Sequence, residues 1–203
     1  DFARMERALK IPGKLACSVD LATGTGKSYV MYGIARIALA AGVVDRVLVL
    51  CPSNTIEAGL TDKFRGLSED AELTAVLPQD SVILTPHTAN ASSSITAGTI
   101  CIENIHATYR ATKSAIDDSL KDKGERTLVL NDEAHHIYTP ERDAALKKWM
   151  EFLVSEDFGF RYVAGFSGTC YVGNEYFADV VSRYSLRQAI EDGVVKAIDY
   201  VVE

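Results

Sequence analysis

The chain has 203 residues, of which 47% are hydrophobic and 24% are charged, so a disordered or low-complexity protein is excluded and one sizeable domain is expected. Its net charge of −7 combines +3 in residues 1–67 with −10 in residues 68–203, which argues against a general electrostatic attraction to nucleic acid but allows local contacts in a groove. No apolar run reaches the ~18 residues of a membrane span. The sequence begins at Asp1 rather than Met, and its charged first residues lead us to expect no secretory signal.

Short apolar runs alternate with helical patterns along the chain. In chain order, the patterns predict a strand at Leu15–Asp20, a helix at Ser28–Ala41, a strand at Arg46–Cys51, a turn and helix at Ser53–Leu67, a strand at Val82–Thr85, a polar loop over residues 87–98, a strand at Thr99–Glu103, a helix at Ala107–Leu120, a strand at Thr127–Asp132, a helix at Pro140–Ser155, a strand at Arg161–Phe166, a helix at Ser185–Asp192 and a strand at Ala197–Val202. This alternation predicts a single α/β domain in which crossover helices join parallel strands.

The four cysteines, Cys17, Cys51, Cys101 and Cys170, lie far apart in apolar, strand-like segments. They form no CxxC pair and lack the Cys/His spacing that is typical of metal ligands. We therefore expect buried free thiols in a protein of the reducing cytoplasm.

A glycine-rich segment, LATGTGKS, runs from Leu21 to Ser28 between a predicted strand and a predicted helix, the context that a phosphate-binding loop requires. Gly24 and Gly26 let backbone N–H groups turn toward phosphate oxygens, and the helix N-terminus adds partial positive charge. Lys27 can reach the β- and γ-phosphates, and the Ser28 hydroxyl can bind Mg²⁺. Because the strict GxxxxGK[ST] pattern fails at Leu21, a plain glycine-rich turn stays open as the alternative.

Two carboxylates stand at the end of the strand predicted at Thr127–Asp132. Asp132 would hold Mg²⁺, and Glu133 would orient and deprotonate a water molecule that attacks the nucleotide. Ligands of open α/β sheets bind at the carboxyl ends of the strands, so this segment and the glycine-rich loop are expected to converge. The alternative for the acidic pair is a helix N-cap with a favourable dipole charge.

Two histidines, His135 and His136, follow the acidic pair. Adjacent residues of a helix or strand point in different directions, and no further ligand lies nearby in the sequence, so a two-histidine metal site is not expected. We predict that His135 is a hydrogen-bonding coupler, and two solvated imidazoles remain the alternative.

Together, Thr23-Gly24-Thr25-Gly26-Lys27-Ser28 and Asp132-Glu133-Ala134-His135 resemble motifs I and II of superfamily 2 DEAD/DEAH-box helicases and translocases. Phe166-Ser167-Gly168-Thr169 is similar to motif III, with Gly168 in place of the usual Ala. The resemblance implies a RecA-like P-loop NTPase with a mainly parallel sheet and helices on both faces. It also implies ATP and Mg²⁺ as ligands, with Ser167 and Thr169 relaying the nucleotide state to a DNA groove.

Further segments resemble the nucleic-acid contacts of the same superfamily. Cys51-Pro52-Ser53 is similar to motif Ia, and Ile102-Glu103-Asn104-Ile105-His106 occupies the place of another contact segment. The resemblance implies hydrogen bonds to DNA phosphates from Ser53, Asn54, Asn104 and His106, which position the strand without reading its sequence. Helix capping by Ser53 or Asn54, beside an ordinary buried strand at 99–103, is the alternative.

The run from Tyr184 to Lys196 resembles the passage between the two motor lobes of type III restriction-enzyme motor subunits. In that family ATP binds between two RecA-like lobes, and the second lobe supplies arginine fingers. The resemblance implies that residues 1–203 form only the first lobe, that the second lobe belongs to a longer parent chain, and that the isolated lobe hydrolyses ATP very slowly. The implied partners are double-stranded DNA and a methyltransferase subunit, with no membrane.

Two other functions remain open from the residues alone. One is a phosphate-loop kinase acting on a nucleotide or small molecule, although no arginine-rich lid is recognisable. The other is a non-catalytic ATP-binding interaction module. The preferred hypothesis is the ATPase lobe of a restriction-type DNA translocase that uses Lys27, Ser28, Asp132 and Glu133.

Overall fold

The computed structural model describes residues 9–11, 14–78, 81–84, 94–108, 115–138 and 144–197. Within these ranges the strands are β1 (Leu15–Leu21), β2 (Arg46–Cys51), β3 (Val82–Leu84), β4 (Thr99–Asn104), β5 (Thr127–Asp132), β6 (Tyr162–Ser167), β7 (Tyr171–Val172), β8 (Glu175–Tyr176) and β9 (Val180–Tyr184). The α-helices are α1 (Lys27–Ala40), α2 (Asn54–Glu69), α3 (Ala71–Val76), α4 (Ala115–Leu120), α5 (Ala144–Val154) and α6 (Leu186–Glu191), and short 3-10 helices occur at Ile105–Thr108, Gly124–Arg126 and Ala134–Tyr138.

Seven of these strands form one sheet in the order β3-β4-β2-β5-β6-β1-β9, and β7 and β8 form a separate hairpin. Every neighbouring pair of the large sheet is parallel. The carboxyl ends of its strands therefore share one edge, which brings together the segments that follow β1, β2, β4, β5 and β6.

Both faces of the sheet are covered, which explains the continuous apolar runs of its central strands. On β2, Leu48 and Leu50 belong to a buried cluster that also contains Trp149 and Leu153 of α5. The alternate residues of the same strand belong to the opposite cluster, with Met31 of α1 and others from α2. The predicted α/β fold, with a mainly parallel sheet and helices on both faces, is confirmed.

Several element predictions need correction. The helix predicted at Ala107–Leu120 is wrong at its start, where Ile105–Thr108 form a 3-10 helix, and α4 is described from Ala115 to Leu120. Residues 109–114 lie outside the described residues, as do residues 139–143 at the start of the helix predicted at Pro140–Ser155 and residues 198–203 of the last predicted strand. The hairpin β7–β8, the helix α3 and the strand β9 were not predicted. Among the described residues, β9 lies at the edge of the sheet beside β1; it is largely exposed and has no apolar run.

The cysteines are free, as predicted, and all but the half-buried Cys17 are buried. Within the described part of the chain, no helix combines the length and the apolar character that crossing a membrane requires.

Candidate nucleotide site

The glycine-rich segment forms a tight loop between β1 and α1. Gly24 and Gly26 have φ values of 82° and 96°, in the left-handed region that glycine adopts without strain. The Thr25 hydroxyl donates a 2.6 Å hydrogen bond to the carbonyl of Ala22 and so closes the loop on itself. Gly26, the N-cap of α1, has no side chain to accept hydrogen bonds from the first-turn N–H groups, so an anion could accept them instead.

Lys27, the first residue of α1, reaches the end of β5. Its Nζ donates a hydrogen bond to Glu133 Oε1 and lies 3.6 Å from Asp132 Oδ1. Two segments separated by more than a hundred residues therefore converge, as the sequence predicted, and one cation lies beside two carboxylates, offsetting one of their two charges. The pairing of Lys27 with Glu133 itself was not predicted from the sequence.

Glu133 has a backbone φ of 51°, unusual for a residue that is not glycine. This left-handed conformation ends β5 and begins the turn into the 3-10 helix at Ala134–Tyr138. Residues held in such conformations concentrate at functional sites, where the surrounding structure maintains the strain.

Asp132 is buried, and within the described chain its Oδ1 has no hydrogen-bond partner. Burial raises the pKa of Asp132, Lys27 lowers it, and the charge of Glu133 raises it further. A buried carboxylate oxygen without a hydrogen-bond partner is a suitable donor to Mg²⁺, which prefers oxygen ligands and retains several waters. Ser28, next to Lys27 in the first turn of α1, could supply a second oxygen.

A hydrogen-bonded chain leads from this acidic end to the segment after β6. His135 Nδ1 lies 2.9 Å from Ser167 Oγ, which accepts a hydrogen bond from Thr169 N at 2.9 Å and donates one to Thr169 O at 3.1 Å. A Cβ placed on Gly168 would lie 3.2 Å from the carbonyl oxygen of Leu21, so this segment also packs against the entrance of the glycine-rich loop. The structure thus brings together the three residues predicted as couplers.

The two histidine rings lie closer together than the sequence suggested, with centroids 4.2 Å apart. Burial lowers the pKa of His135, and the neighbouring His136 lowers it further. A neutral His135 with its proton on Nδ1 would satisfy Ser167, whose own proton is directed to Thr169. Across the described residues, no three His, Cys, Asp or Glu side chains are grouped as a metal site.

The residues predicted to contact nucleic acid follow β2 and β4, next to the end of β5 on the same sheet edge. Ser53 caps α2 by accepting a hydrogen bond from Ile56 N at 3.4 Å, which is the alternative role stated for it. Asn104 donates from its backbone and its side chain to Glu57, and its Oδ1 accepts from His106 N at 3.0 Å. Asn54 and His106 are exposed.

Two buried glutamates beside these segments were missed by the sequence interpretation. Glu57 of α2 joins the two segments through Asn104, and Glu103 lies at the end of β4. Burial and the charge of Glu57 raise the pKa of Glu103 to about 8. An acidic residue inside an otherwise apolar strand was the only available signal for Glu103.

Comparison with known proteins gives both a family and a fold. The model of the family described as type III restriction enzyme, res subunit, matches residues 3–172. The chain is similar to the Sulfolobus solfataricus SWI2/SNF2 ATPase core in complex with dsDNA, with a TM-score of 0.52 and 18% identity, over 77% of this chain and 28% of that one. It is also similar to the UvsW helicase from bacteriophage T4, with a TM-score of 0.50 and 14% identity, over 82% and 54% of the two chains.

Curated proteins compared with the chain gave no match. The chain spans 28% and 54% of the two solved structures, so it corresponds to a part of each. At these identities the likeness shows the fold, and the predicted RecA-like architecture is confirmed.

Proposed function

The chain belongs to the family of type III restriction enzyme res subunits and has the RecA-like fold of a helicase ATPase lobe, and from this premise we propose that it is the ATP-binding lobe of a DNA motor. The observation that carries the proposal is the convergence of Lys27 with Asp132 and Glu133 beside a left-handed glycine loop. This arrangement would supply a phosphate cradle, a cation and two carboxylates at one sheet edge.

Phosphate recognition is assigned to Thr23, Gly24, Thr25, Gly26, Lys27 and Ser28. A Cβ on Gly24 would meet no atom within 4 Å, so glycine is required there for its backbone conformation and the space beside the loop stays open. Lys27 would leave Glu133 to bind the β- and γ-phosphates, because phosphate oxygens present more negative charge than one carboxylate. The same movement would release Glu133.

Hydrolysis is assigned to the acidic end of β5. Asp132 and Ser28 would hold Mg²⁺, which would neutralise charge on the phosphates. Glu133, released from Lys27, would orient a water molecule and accept its proton. The strained backbone of Glu133 holds its carboxylate beside Lys27 and not along the line of the strand.

Coupling to DNA is assigned to His135, Ser167 and Thr169, which connect Glu133 to the segment packed on the glycine loop. His135 Nδ1 lies 3.5 Å from Glu133 Oε2 and 2.9 Å from Ser167 Oγ. A movement of Glu133 would therefore change the position of His135 and, through it, the hydrogen bond to Ser167. Exposed Asn54 and His106, with Ser53 and Asn104, would contact DNA phosphates on the neighbouring part of the edge.

The complete motor would contain a second RecA-like lobe of the parent chain, double-stranded DNA and, in a restriction system, a methyltransferase subunit. Residues 1–203 would then form one lobe of the motor. An arginine finger from a second lobe raises the rate of related reactions about 10³–10⁵-fold, so the isolated chain should hydrolyse ATP very slowly. Family membership does not favour the kinase alternative.

Nucleotide binding by the 203-residue chain tests the central assignment. In titrations with a fluorescent ATP analogue and MgCl₂, Lys27→Ala should weaken binding at least about tenfold, since it removes a charged hydrogen bond to phosphate. Lys121→Ala removes the same charge from an exposed site away from the loop and should change nothing. Equal binding by the Lys27 variant and the parent would contradict the proposal.

Turnover tests the role of Glu133. In a longer protein that includes the second lobe, Glu133→Gln should retain nucleotide binding but lose DNA-stimulated phosphate release. Glu125→Gln, an exposed change in the 3-10 helix before β5, is the matched control. Full turnover by Glu133→Gln would refute its assignment, and phosphate transfer to a small acceptor without DNA would favour the kinase.

A further inference from the structure

A cavity of about 260 Å³ lies at the sheet edge opposite the glycine loop. It is bounded by the second half of α1 and by the segments that precede β2, β3 and β4, so it sits at the amino ends of these strands. Its polar lining includes Arg36, Asp45 and Ser81, while Leu39, Pro78 and Gly98 provide much of the wall. The candidate nucleotide site contains none of these residues.

Arg36 is the unusual member of this lining. It is 2% exposed, and its Nε donates a hydrogen bond to the carbonyl of Pro78. Its guanidinium carbon lies 5.7 Å from the centre of the Tyr32 ring, while in the described part of the chain Nη2 has no hydrogen-bond partner and no carboxylate forms an ion pair with Arg36. Burying a guanidinium without an anion is energetically unfavourable, so a ligand that pairs with Nη2 would lower the free energy of this arrangement.

Two further observations indicate which kind of ligand the cavity could bind. Ser81 Oγ is buried and, like Arg36 Nη2, has no hydrogen-bond partner in the described chain, although both residues line the same cavity. Asp45 also lines the cavity, but both of its carboxylate oxygens are bonded to Arg126, at 2.6 and 2.9 Å. The cavity therefore offers two free polar groups, one of them cationic, and an acidic residue already neutralised by another arginine.

We propose that this cavity is a binding site for a small oxyanion, a carboxylate or a phosphate group, held by Arg36 and Ser81. A guanidinium nitrogen and a hydroxyl are suitable donors for either group. The volume lies below the usual range of about 300–1,000 Å³ for drug-sized ligands, which favours a molecule smaller than a nucleotide. This inference is independent of the proposed function, because no residue of the nucleotide site takes part.

The test must separate this cavity from the glycine loop, which is also expected to bind phosphate. We would titrate the ¹⁵N-labelled 203-residue chain carrying Lys27→Ala with inorganic phosphate and, separately, with succinate. The amide signals of Gly42 and Gly98, which line the cavity, should shift with saturation below about 10 mM, whereas those of Gly24 and Gly26 should not. A response to one probe alone identifies the preferred anion and supports the site.

Variants at the cavity make the assignment specific. Arg36→Met should weaken the anion affinity read from these titrations at least about tenfold, and Ser81→Ala should weaken it less. Arg65→Met, the same substitution on the exposed side of α2, should leave the response unchanged. If Arg36→Met does not fold, Ala97→Phe, which keeps Arg36 and fills the cavity, should abolish the response.

Two outcomes would overturn the proposal. One is the absence of a saturable shift at Gly42 and Gly98 with either probe, or an equal shift in Arg36→Met and the control. The other concerns Asp80, which lies outside the described residues and close in sequence to Ser81. If phosphate shifts these signals only after Asp80→Asn, the anion partner of Arg36 is part of the chain itself.

Discussion

A buried hydrogen bond between Asn131 and Trp149 joins β5 to α5, immediately before the acidic end of the strand. Asn131 Oδ1 accepts a 2.9 Å hydrogen bond from Trp149 Nε1, and its Nδ2 donates a 3.3 Å bond to the carbonyl of Ala164 on β6. Both Asn131 and Trp149 are fully buried. Asn131→Leu keeps the branched shape and the number of side-chain heavy atoms but removes both bonds, so it tests their contribution to stability.

The expected loss of stability follows from the polar groups that lose their hydrogen-bond partners in Asn131→Leu. The indole N–H of Trp149 loses its partner in a dry environment, which costs about 1–3 kcal/mol, and loss of the longer bond to Ala164 adds about 0.5–1 kcal/mol. Burial of the leucine methyl groups offsets part of this cost. We therefore expect Asn131→Leu to lower the free energy of unfolding by about 2 kcal/mol.

Trp149 is the single tryptophan of the chain, so its fluorescence reports unfolding without an added label. Urea unfolding followed by its fluorescence should show a lower midpoint with an unchanged slope. Asn54→Leu, an exposed asparagine, should change stability by at most about 0.5 kcal/mol. In a cycle with Trp149→Phe, followed by circular dichroism, the coupling should be about 1–2 kcal/mol.

The reasoning would be refuted by an Asn131→Leu variant within about 0.5 kcal/mol of the parent with the same slope, or by additive effects in the cycle. Either result would mean that the indole N–H finds another partner or that the bond adds nothing to stability.

Two remaining predictions concern stability. Burial and Glu57 raise the pKa of Glu103 from 4.5 to about 8, so the folded chain keeps a proton that the unfolded chain releases. The free energy of unfolding should therefore fall as pH rises from about 5 to 8, and Glu103→Gln should flatten that slope in urea titrations at several pH values. A Cβ on Gly124 would lie 2.3 Å from the carbonyl oxygen of Phe158. Gly124→Ala should therefore lower the free energy of unfolding by about 3 kcal/mol, seen as a lower melting temperature. At Gly59, within α2, a Cβ would meet no described atom within 4 Å, so Gly59→Ala should stabilise the fold by about 0.5–1 kcal/mol.

The sequence predicts the central strands well because their surroundings are the same on both faces. β5 is buried throughout and β2 is buried after its first residue, so their apolar runs can be recognised without knowing which elements pack on them. β9 has mostly exposed side chains and acquires its strand conformation from pairing with β1, which a local pattern does not encode. Tertiary pairing, not propensity, decides such an edge strand.

In the candidate site, too, some features follow from the local sequence and others depend on tertiary packing. The convergence of the glycine loop with Asp132-Glu133 could be predicted because both segments follow strands whose carboxyl ends share one sheet edge. The pairing of Glu57 with Asn104 depends on how α2 packs against β4, and the left-handed φ of Glu133 is not a property that its residue type suggests. Both features require the assembled sheet.

Three consecutive residues, the last two of β5 and the one that follows it, show how the fold supports an unfavourable site. Asn131 satisfies its side chain within the core, Asp132 has a buried oxygen with no hydrogen-bond partner among the described residues, and Glu133 adopts a strained backbone conformation. A left-handed non-glycine residue costs about 1–3 kcal/mol, and an unsatisfied buried carboxylate oxygen adds to that cost. The hydrogen bonds of Asn131 to Trp149 of α5 and Ala164 of β6 hold the strand in place one residue before this strained end. Lys27, the residue assigned to phosphate binding, also stabilises these two carboxylates, so replacing Lys27 would weaken nucleotide binding and at the same time leave the acidic pair without its neutralising charge.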